Sequence, residues 1–132
     1  MNDYISDTIV YWNNIVNYEG WYSYYLSNDK PKSILDNVRV EIYSQVLIFA
    51  SRCTKAKAID DIIGSEQSFI EACLTYVQSF NLVHQLLPAL ILGANNDGED
   101  QSVIDDLNYQ LTEIINQHEI NTALIISLIK TM

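Results

Sequence analysis

Histidine and cysteine, the side chains that most often carry enzyme chemistry, are scarce in this 132-residue chain, which has two of each. A catalytic metal site needs three or four ligands that converge on one point. His84 and His118 are far apart in sequence, so we interpret His84 as a packed or partly exposed side chain and His118 as a structural group that ends a helix. Cys53 and Cys73 fall within apolar helical patterns, and we interpret them as buried thiols of a reducing compartment.

The segment Asn95-x-Asp97-Gly98 matches part of a calcium-binding loop. With Gly98 at position six of an EF-hand loop, positions one and twelve must supply oxygen ligands, and position twelve must be a glutamate. Those positions hold Gly93 and Ile104, so an EF-hand site is excluded.

Two carboxylate pairs, Asp60-Asp61 and Asp105-Asp106, have residue types suited to acid–base catalysis. Adjacent residues of a helix point about 100° apart, however, so neither pair can act on one substrate atom from a helix. The chain also lacks a nucleophile elbow, a phosphate-binding glycine loop and a dinucleotide fingerprint. We therefore expect no catalytic residue, no metal and no cofactor, and predict that the protein is not an enzyme.

The distribution of charge distinguishes this chain from an ordinary globular protein. Its formal net charge is −10, and no lysine or arginine lies between Ala58 and Ile129. That stretch contains Asp60, Asp61, Glu66, Glu71, Asp97, Glu99, Asp100, Asp105, Asp106, Glu113 and Glu119. Surface helices ordinarily carry both signs of charge, and a face of one sign lowers stability through self-repulsion. A cationic partner would relieve that repulsion, so the pattern predicts a docking surface for a basic protein.

We assign partner binding to acidic residues after residue 94 and to two aromatic residues near residue 20. The assigned residues are Asp97, Glu99, Asp100, Asp105, Asp106, Glu113, Trp21 and Tyr22. Acidic clusters steer a cationic partner during encounter, and desolvated aromatic rings supply most of the binding energy at many interfaces. The alternative that the aromatic run packs in the core or beneath a loop stays open. Direct binding of nucleic acid or an anionic membrane is not expected, because both require Lys and Arg.

Length and composition predict a single domain over residues 1–132, with 48% hydrophobic and 18% charged residues. The first ten residues lack the basic and continuously apolar regions of a signal peptide. The longest apolar stretch, Leu82 to Ala94, is shorter than the ~20 residues that span a bilayer. We therefore expect a cytoplasmic protein with no membrane segment.

Hydrophobic periodicity predicts helices along the whole chain. A first helix with its apolar face on residues 5, 9, 12 and 16 should stop at Gly20, and a short aromatic helix should follow. Ser33 should begin the next helix, whose stripe runs from Leu35 to Cys53, and a short helix should cover residues 58–63.

Ser65 should begin the strongest predicted helix, with a stripe from Phe69 to Leu87. Pro88 should break or kink it, and the apolar residues 89–93 should be core. Ser102 and Asn121 should begin two last helices, the second of them buried over residues 123–129. The expected fold is all-α, one irregular bundle of about six or seven helices.

Small size, helical architecture, acidity and the lack of catalytic motifs resemble bacterial immunity proteins, which are inhibitors made together with contact-dependent or colicin-like toxins. The residues that carry the resemblance are Asp97, Glu99, Asp100, Asp105 and Asp106. The resemblance implies a non-catalytic inhibitor whose acidic surface covers the nucleic-acid groove of a basic toxin domain, often a nuclease. Two alternatives stay open: a phage-encoded antagonist of a host defence nuclease that imitates nucleic-acid charge, and a helical adaptor or regulatory subunit with an apolar groove.

Overall fold

The computed structural model describes residues 3–59, 62 and 64–132. All regular secondary structure in these residues is helical, which confirms the all-α prediction. The elements are α1 (Asp3–Ser27), α2 (Lys32–Lys57), α3 (Ser65–Asn81), a π-helical turn (Leu82–Leu86), α4 (Leu87–Asn96) and α5 (Gln101–Thr131).

The number of helices is smaller than the sequence suggested. Because α3, the π-helical turn and α4 follow one another without a break, the described residues form four continuous helical segments, and the prediction of six or seven was wrong. Gly20 does not end a helix but lies inside α1, without the positive φ that a terminating glycine adopts. Asn121 does not begin a helix either; it is buried inside α5.

The residues that begin helices differ from the expected capping residues at two places. Ser33 and Ser102 lie within the first turns of α2 and α5, and the N-cap positions belong to Pro31 and Asp100, neither of which makes a side-chain capping bond. Ser65 is the first residue of α3, as predicted. The short helix expected over 58–63 includes Asp60, Asp61 and Ile63, which lie outside the described residues.

Pro88 does not break its helix. It lies in the first turn of α4, directly after the π-helical turn and so inside the continuous helical run. The π-helical turn immediately before it closes with a hydrogen bond from the Leu87 N–H to the Leu82 carbonyl, five residues back. Such a turn widens the helix locally, which is how a helix can continue through a proline.

The chain divides into two compact units, unit 1 (Met1–Ile70) and unit 2 (Glu71–Met132). Each has its own set of buried side chains and is described separately below. The single domain expected over residues 1–132 stays a prediction.

In unit 1, α1 and α2 pack along an apolar seam in which the rings of Trp12 and Phe49 lie 5.8 Å apart. The buried face of α1 is shifted by one residue from the expected stripe, because Thr8 and Ile15 are buried whereas Val16 is exposed. The Thr8 hydroxyl donates a hydrogen bond to the Tyr4 carbonyl, 2.6 Å away, which satisfies it inside the core. The buried residues of unit 1 are Ile5, Thr8, Trp12, Ile15, Ile42, Val46, Phe49, Cys53, Ala56, Phe69 and Ile70.

In unit 2 the stripe predicted for α3 is buried at Cys73, Tyr76, Phe80 and Leu87, whereas Val83 is half-buried. The expectation that residues 89–93 and 123–129 are core was wrong for most of them. Leu92 is 61% exposed, and of residues 123–129 only Ile125 is buried. The buried residues of unit 2 are Ala72, Cys73, Tyr76, Ser79, Phe80, Leu87, Ala94, Ile104, Asn121 and Ile125.

The uninterrupted helical run Ser65–Asn96 has the length and composition of a membrane span, with a mean hydropathy of 1.2 over its most apolar window. It is longer than the apolar stretch seen in the sequence because the π-helical turn keeps the helix continuous. Core helices of soluble proteins meet the same two criteria, and the absence of a membrane partner stays a prediction.

Candidate functional site

The six acidic residues assigned to partner binding lie on one continuous segment of unit 2. Asp97, Glu99 and Asp100 occupy the turn between α4 and α5, in which Gly98 has a φ of +69°. The remaining three lie on the first half of α5. All six carboxylate residues are exposed: Asp97, Glu99, Asp100, Asp105, Asp106 and Glu113.

Helical geometry divides the carboxylates of α5 between two sides of the helix. At about 100° per residue, Asp106 and Glu113 lie about 60° and 80° from Val103, whereas Asp105 and Glu119 lie about 160° away from it. Val103 faces the groove between α4 and α5, whose rim includes the turn residues Asp97 and Glu99. We call Asp97, Glu99, Asp106 and Glu113 the acidic face. Asp105 was assigned to the same surface, but it lies on the other side of α5.

Neutral side chains donate hydrogen bonds to the carboxylates of α5 and orient them. The Gln101 amide donates to Asp105 and the Gln110 amide donates to Asp106, each over 2.8 Å and each one helical turn away. The hydrogen bond between Tyr109 and Glu113 raises the pKa of the exposed Tyr109 phenol. Amides and a phenol orient carboxylates but carry no positive charge, so these contacts do not pair the carboxylates of α5 with a cation.

The two aromatic residues assigned to the interface belong to unit 1. Trp21 is 53% exposed, and Tyr22 is half-buried. Trp21 packs edge-on against Tyr24, with ring centroids 6.2 Å apart, and tilted against Tyr25 at 5.6 Å. The aromatic run is therefore an exposed cluster on α1 and not core, with a shallow depression of about 460 Å³ beside Gly20.

The structure also forms a polar cluster in unit 2 that the sequence did not reveal. His118 lies in the middle of α5, not at a helix end, and its ring stacks on Tyr76 with centroids 4.7 Å apart. The ring centroid of His84, in the π-helical turn, lies 6.1 Å from that of His118 and 4.4 Å from that of Phe80. Histidines 34 positions apart leave no periodic signal, because only tertiary packing brings them together.

Ser79 is hydrogen-bonded to three groups of this cluster. Its hydroxyl lies 3.0 Å from the Tyr76 carbonyl oxygen and accepts a hydrogen bond from the Asn121 amide over 3.1 Å. The Ser79 oxygen and His118 Nδ1 are 2.5 Å apart, and the histidine tautomer sets which of the two donates. Ser79 and Asn121 are both buried, so the cluster joins α3 to α5 inside unit 2.

Burial, together with a smaller effect of the neighbouring His84, lowers the pKa of His118 to about 4. The ring is therefore neutral near pH 7. Among the described residues, histidine, cysteine, aspartate and glutamate form no group of three that could hold a metal ion. Cys53 and Cys73 are each completely buried, in unit 1 and unit 2 respectively.

Comparison with known proteins gives no match. No family model, no curated protein and no solved structure is similar to this chain. The geometry of the chain itself is therefore the basis for assigning a function, and the feature of unit 2 that it presents to other molecules is an acidic face beside an apolar groove.

Proposed function

We propose that the protein is a non-catalytic inhibitor, an immunity protein, that binds a cationic protein partner through the acidic face of unit 2. The observation that carries the proposal is charge. Eight carboxylates and a single lysine give unit 2 a formal charge of −7, whereas unit 1 carries −3. A concentration of one sign on one unit steers a partner of opposite sign and fixes its orientation.

The specific partner that we propose is the basic domain of a toxin, such as a nuclease, whose substrate groove must attract phosphate. An acidic surface that occupies such a groove blocks the enzyme without any chemistry of its own. A phage-encoded imitation of nucleic acid is less well supported, because that mechanism favours carboxylates over the whole surface and the charge here is concentrated in unit 2.

Two double variants of α5 test whether the acidic face is the docking surface. Asp106→Lys with Glu113→Lys reverses charge on the acidic face, and Asp105→Lys with Glu119→Lys makes the same change in charge on the opposite side of the helix. The wild type and both variants serve as baits in lysates of the producing cells, at low and at high salt, with mass-spectrometric identification of the retained proteins.

We expect a basic protein to be retained by the wild type and by the Asp105/Glu119 variant, and to be lost with the Asp106/Glu113 variant and at high salt. Co-expression should then protect cells from the retained protein if it is a toxin. Equal retention by all three baits, or retention indifferent to salt, would show that charge on this face does not direct binding.

A further inference from the structure

The groove between α4 and α5 holds apolar side chains at the surface of unit 2. It has a volume of about 340 Å³ and is lined on the α4 side by Ala89, Leu90, Gly93 and Ala94 and on the α5 side by Val103 and Leu107. Leu90 is 46% exposed and Val103 41% exposed, so two large apolar side chains face the same groove. Contiguous exposed apolar surface of this kind marks an interaction site more often than isolated exposed residues do.

Gly93 forms part of the α4 wall of the groove. A Cβ atom added at this position would meet no atom within 4 Å, so nothing inside the chain requires a glycine here. A glycine inside a helix costs about 1 kcal/mol relative to alanine. Its effect in the folded protein is to leave room on the α4 wall for the close approach of a group from outside.

Charge at the end of the groove selects the sign of the occupant. Asp97 and Glu99 line the groove where α4 turns into α5, and both are exposed. No lysine or arginine lies between residues 58 and 129, and Lys130 belongs to the last turn of α5, far along the helix from this rim. Phosphate groups of lipids and nucleic acids are repelled by such a rim, whereas lysine and arginine side chains are attracted.

We propose that this groove binds an amphipathic cationic helix of the partner protein. A groove between two antiparallel helices accepts a third helix by the ridge-into-groove packing of helix bundles, with apolar anchors spaced three or four residues apart. Those anchors pack against Leu90, Val103 and Leu107, while lysines or arginines at the end of the helix lie beside Asp97 and Glu99. This inference rests on the proposed function and adds to it the form of the recognised segment.

The test uses the full chain and two fluorescein-labelled peptides of about 18 residues, long enough for a helix of about 27 Å. Both contain the same leucines and lysines. One places leucine at helical spacing, and the other has a permuted order that gives no apolar face. Affinities are measured by fluorescence anisotropy at an ionic strength of about 0.01 M, where charges are weakly screened.

Gly93→Met fills the groove without removing a charge, and because it replaces a helical glycine it should not weaken folding. The matched control is Gly20→Met in α1, the other helical glycine whose added Cβ meets no atom within 4 Å. A second variant, Asp97→Asn with Glu99→Gln, removes the rim charge and keeps the shape of the side chains. Thermal unfolding verifies that each variant is folded.

The helical peptide should bind the wild type at least about tenfold more tightly than the permuted peptide, and Gly93→Met and the rim variant should each weaken that binding about tenfold. Gly20→Met should leave it unchanged, and amide chemical-shift changes should centre on residues 89–107. Equal affinity for the two peptides, or loss of binding with Gly20→Met alone, would overturn the proposal that the groove binds a helix and leave the proposed electrostatic function intact. If neither peptide bound, both proposals would be overturned.

Discussion

Units 1 and 2 are both helical, but they handle polar groups differently. In unit 1 the fully buried side chains between α1 and α2 are apolar except Thr8, which is satisfied by a carbonyl of its own helix. The polar contacts between the two helices, Asn14–Gln45 and Arg52–Asp7, involve partly exposed side chains. In unit 2 the buried polar residues Ser79 and Asn121 bond to each other across two helices, with His118 as a third member. A core whose polar atoms must meet across helices depends on correct tertiary packing in a way that an apolar seam does not.

The same contrast extends to the surface. Unit 1 carries six cations against nine carboxylates, while unit 2 carries one cation against eight carboxylates. The unit with the nearly balanced surface is thus the one with the apolar core, and the unit with the one-signed surface has the polar cluster. Four substitution experiments test this comparison.

The largest effect should come from the apolar seam of unit 1. Phe49→Ala removes a completely buried ring that contacts Trp12, and we expect it to lower the free energy of unfolding by about 3–5 kcal/mol. Both tryptophans belong to unit 1, so chemical denaturation followed by tryptophan fluorescence reports on this unit. The control Leu47→Ala, in the same helix but 73% exposed, should change stability by less than about 0.5 kcal/mol. Similar losses for both would show that this seam does not hold unit 1 together.

A smaller effect should follow from breaking the polar cluster of unit 2. Asn121→Ala removes the amide that donates to Ser79 and should lower stability by about 1–3 kcal/mol, because a buried polar group loses its partner. The matched control is Asn108→Ala in the same helix, where the amide donates only to the Ile104 carbonyl one turn back. Circular dichroism during denaturation measures both. A loss no greater than that of Asn108→Ala would contradict a stabilising role for the cluster.

Stability should also depend on pH through His118. The folded-state pKa of about 4 lies below the ordinary 6.5, so between these values the unfolded chain binds a proton that the folded chain does not. Stability is therefore complete above pH 6.5 and falls as the pH is lowered to 4. Because the ring is partly exposed, we expect the free energy of unfolding to fall by about 1–2 kcal/mol through His118 over this pH range.

The variant His118→Gln isolates this contribution from carboxylates that titrate in the same range, because it removes only one titrating group. The difference in unfolding free energy between wild type and variant should change between pH 6.5 and 4 and be constant above pH 7. A difference that does not vary with pH would show that burial leaves the histidine pKa unchanged.

The smallest effects should be equal in the two units. Gly20→Ala and Gly93→Ala each add a Cβ that meets no atom within 4 Å, and each should raise stability by about 0.5–1 kcal/mol through helix propensity. Gly98→Ala should instead lower stability by about 1–2 kcal/mol, since its φ of +69° strains any residue with a Cβ. Melting temperatures measure all three, and destabilisation by either helical substitution would show that the glycine is required where it stands.

Hydrophobic periodicity predicted the buried face of a helix correctly where that face consists of apolar side chains. The stripe of α2 was predicted from Leu35 to Cys53; it is buried from Ile42 to Cys53, where its apolar residues recur at helical spacing, and only half-buried at Leu35 and Val38. The stripe of α1 was displaced by one residue, since Thr8 looks polar in the sequence and is buried through a bond to its own backbone. Single-residue stop signals such as Gly20 failed, because a glycine ends a helix only where tertiary structure lets it adopt positive φ.

The candidate site was predicted in part. Sequence spacing located the carboxylates on the turn and on α5, and their division between two sides of the helix follows from helical geometry alone. The groove beside them did not follow from the sequence, because Leu90 and Gly93 come from α4 whereas Val103 comes from α5. The contact between His84 and His118 likewise depends on packing between distant segments.

The π-helical turn Leu82–Leu86 determines which residues of α4 face α5. A π turn accommodates one residue more than an α turn, so conversion of the same residues to ordinary α-helix, without a deletion, would rotate everything downstream by about 100°. The side of α4 that carries Leu90 and Gly93 would then turn away from Val103. The phase of this helix, and with it the recognition surface, depends on the count of residues in one turn.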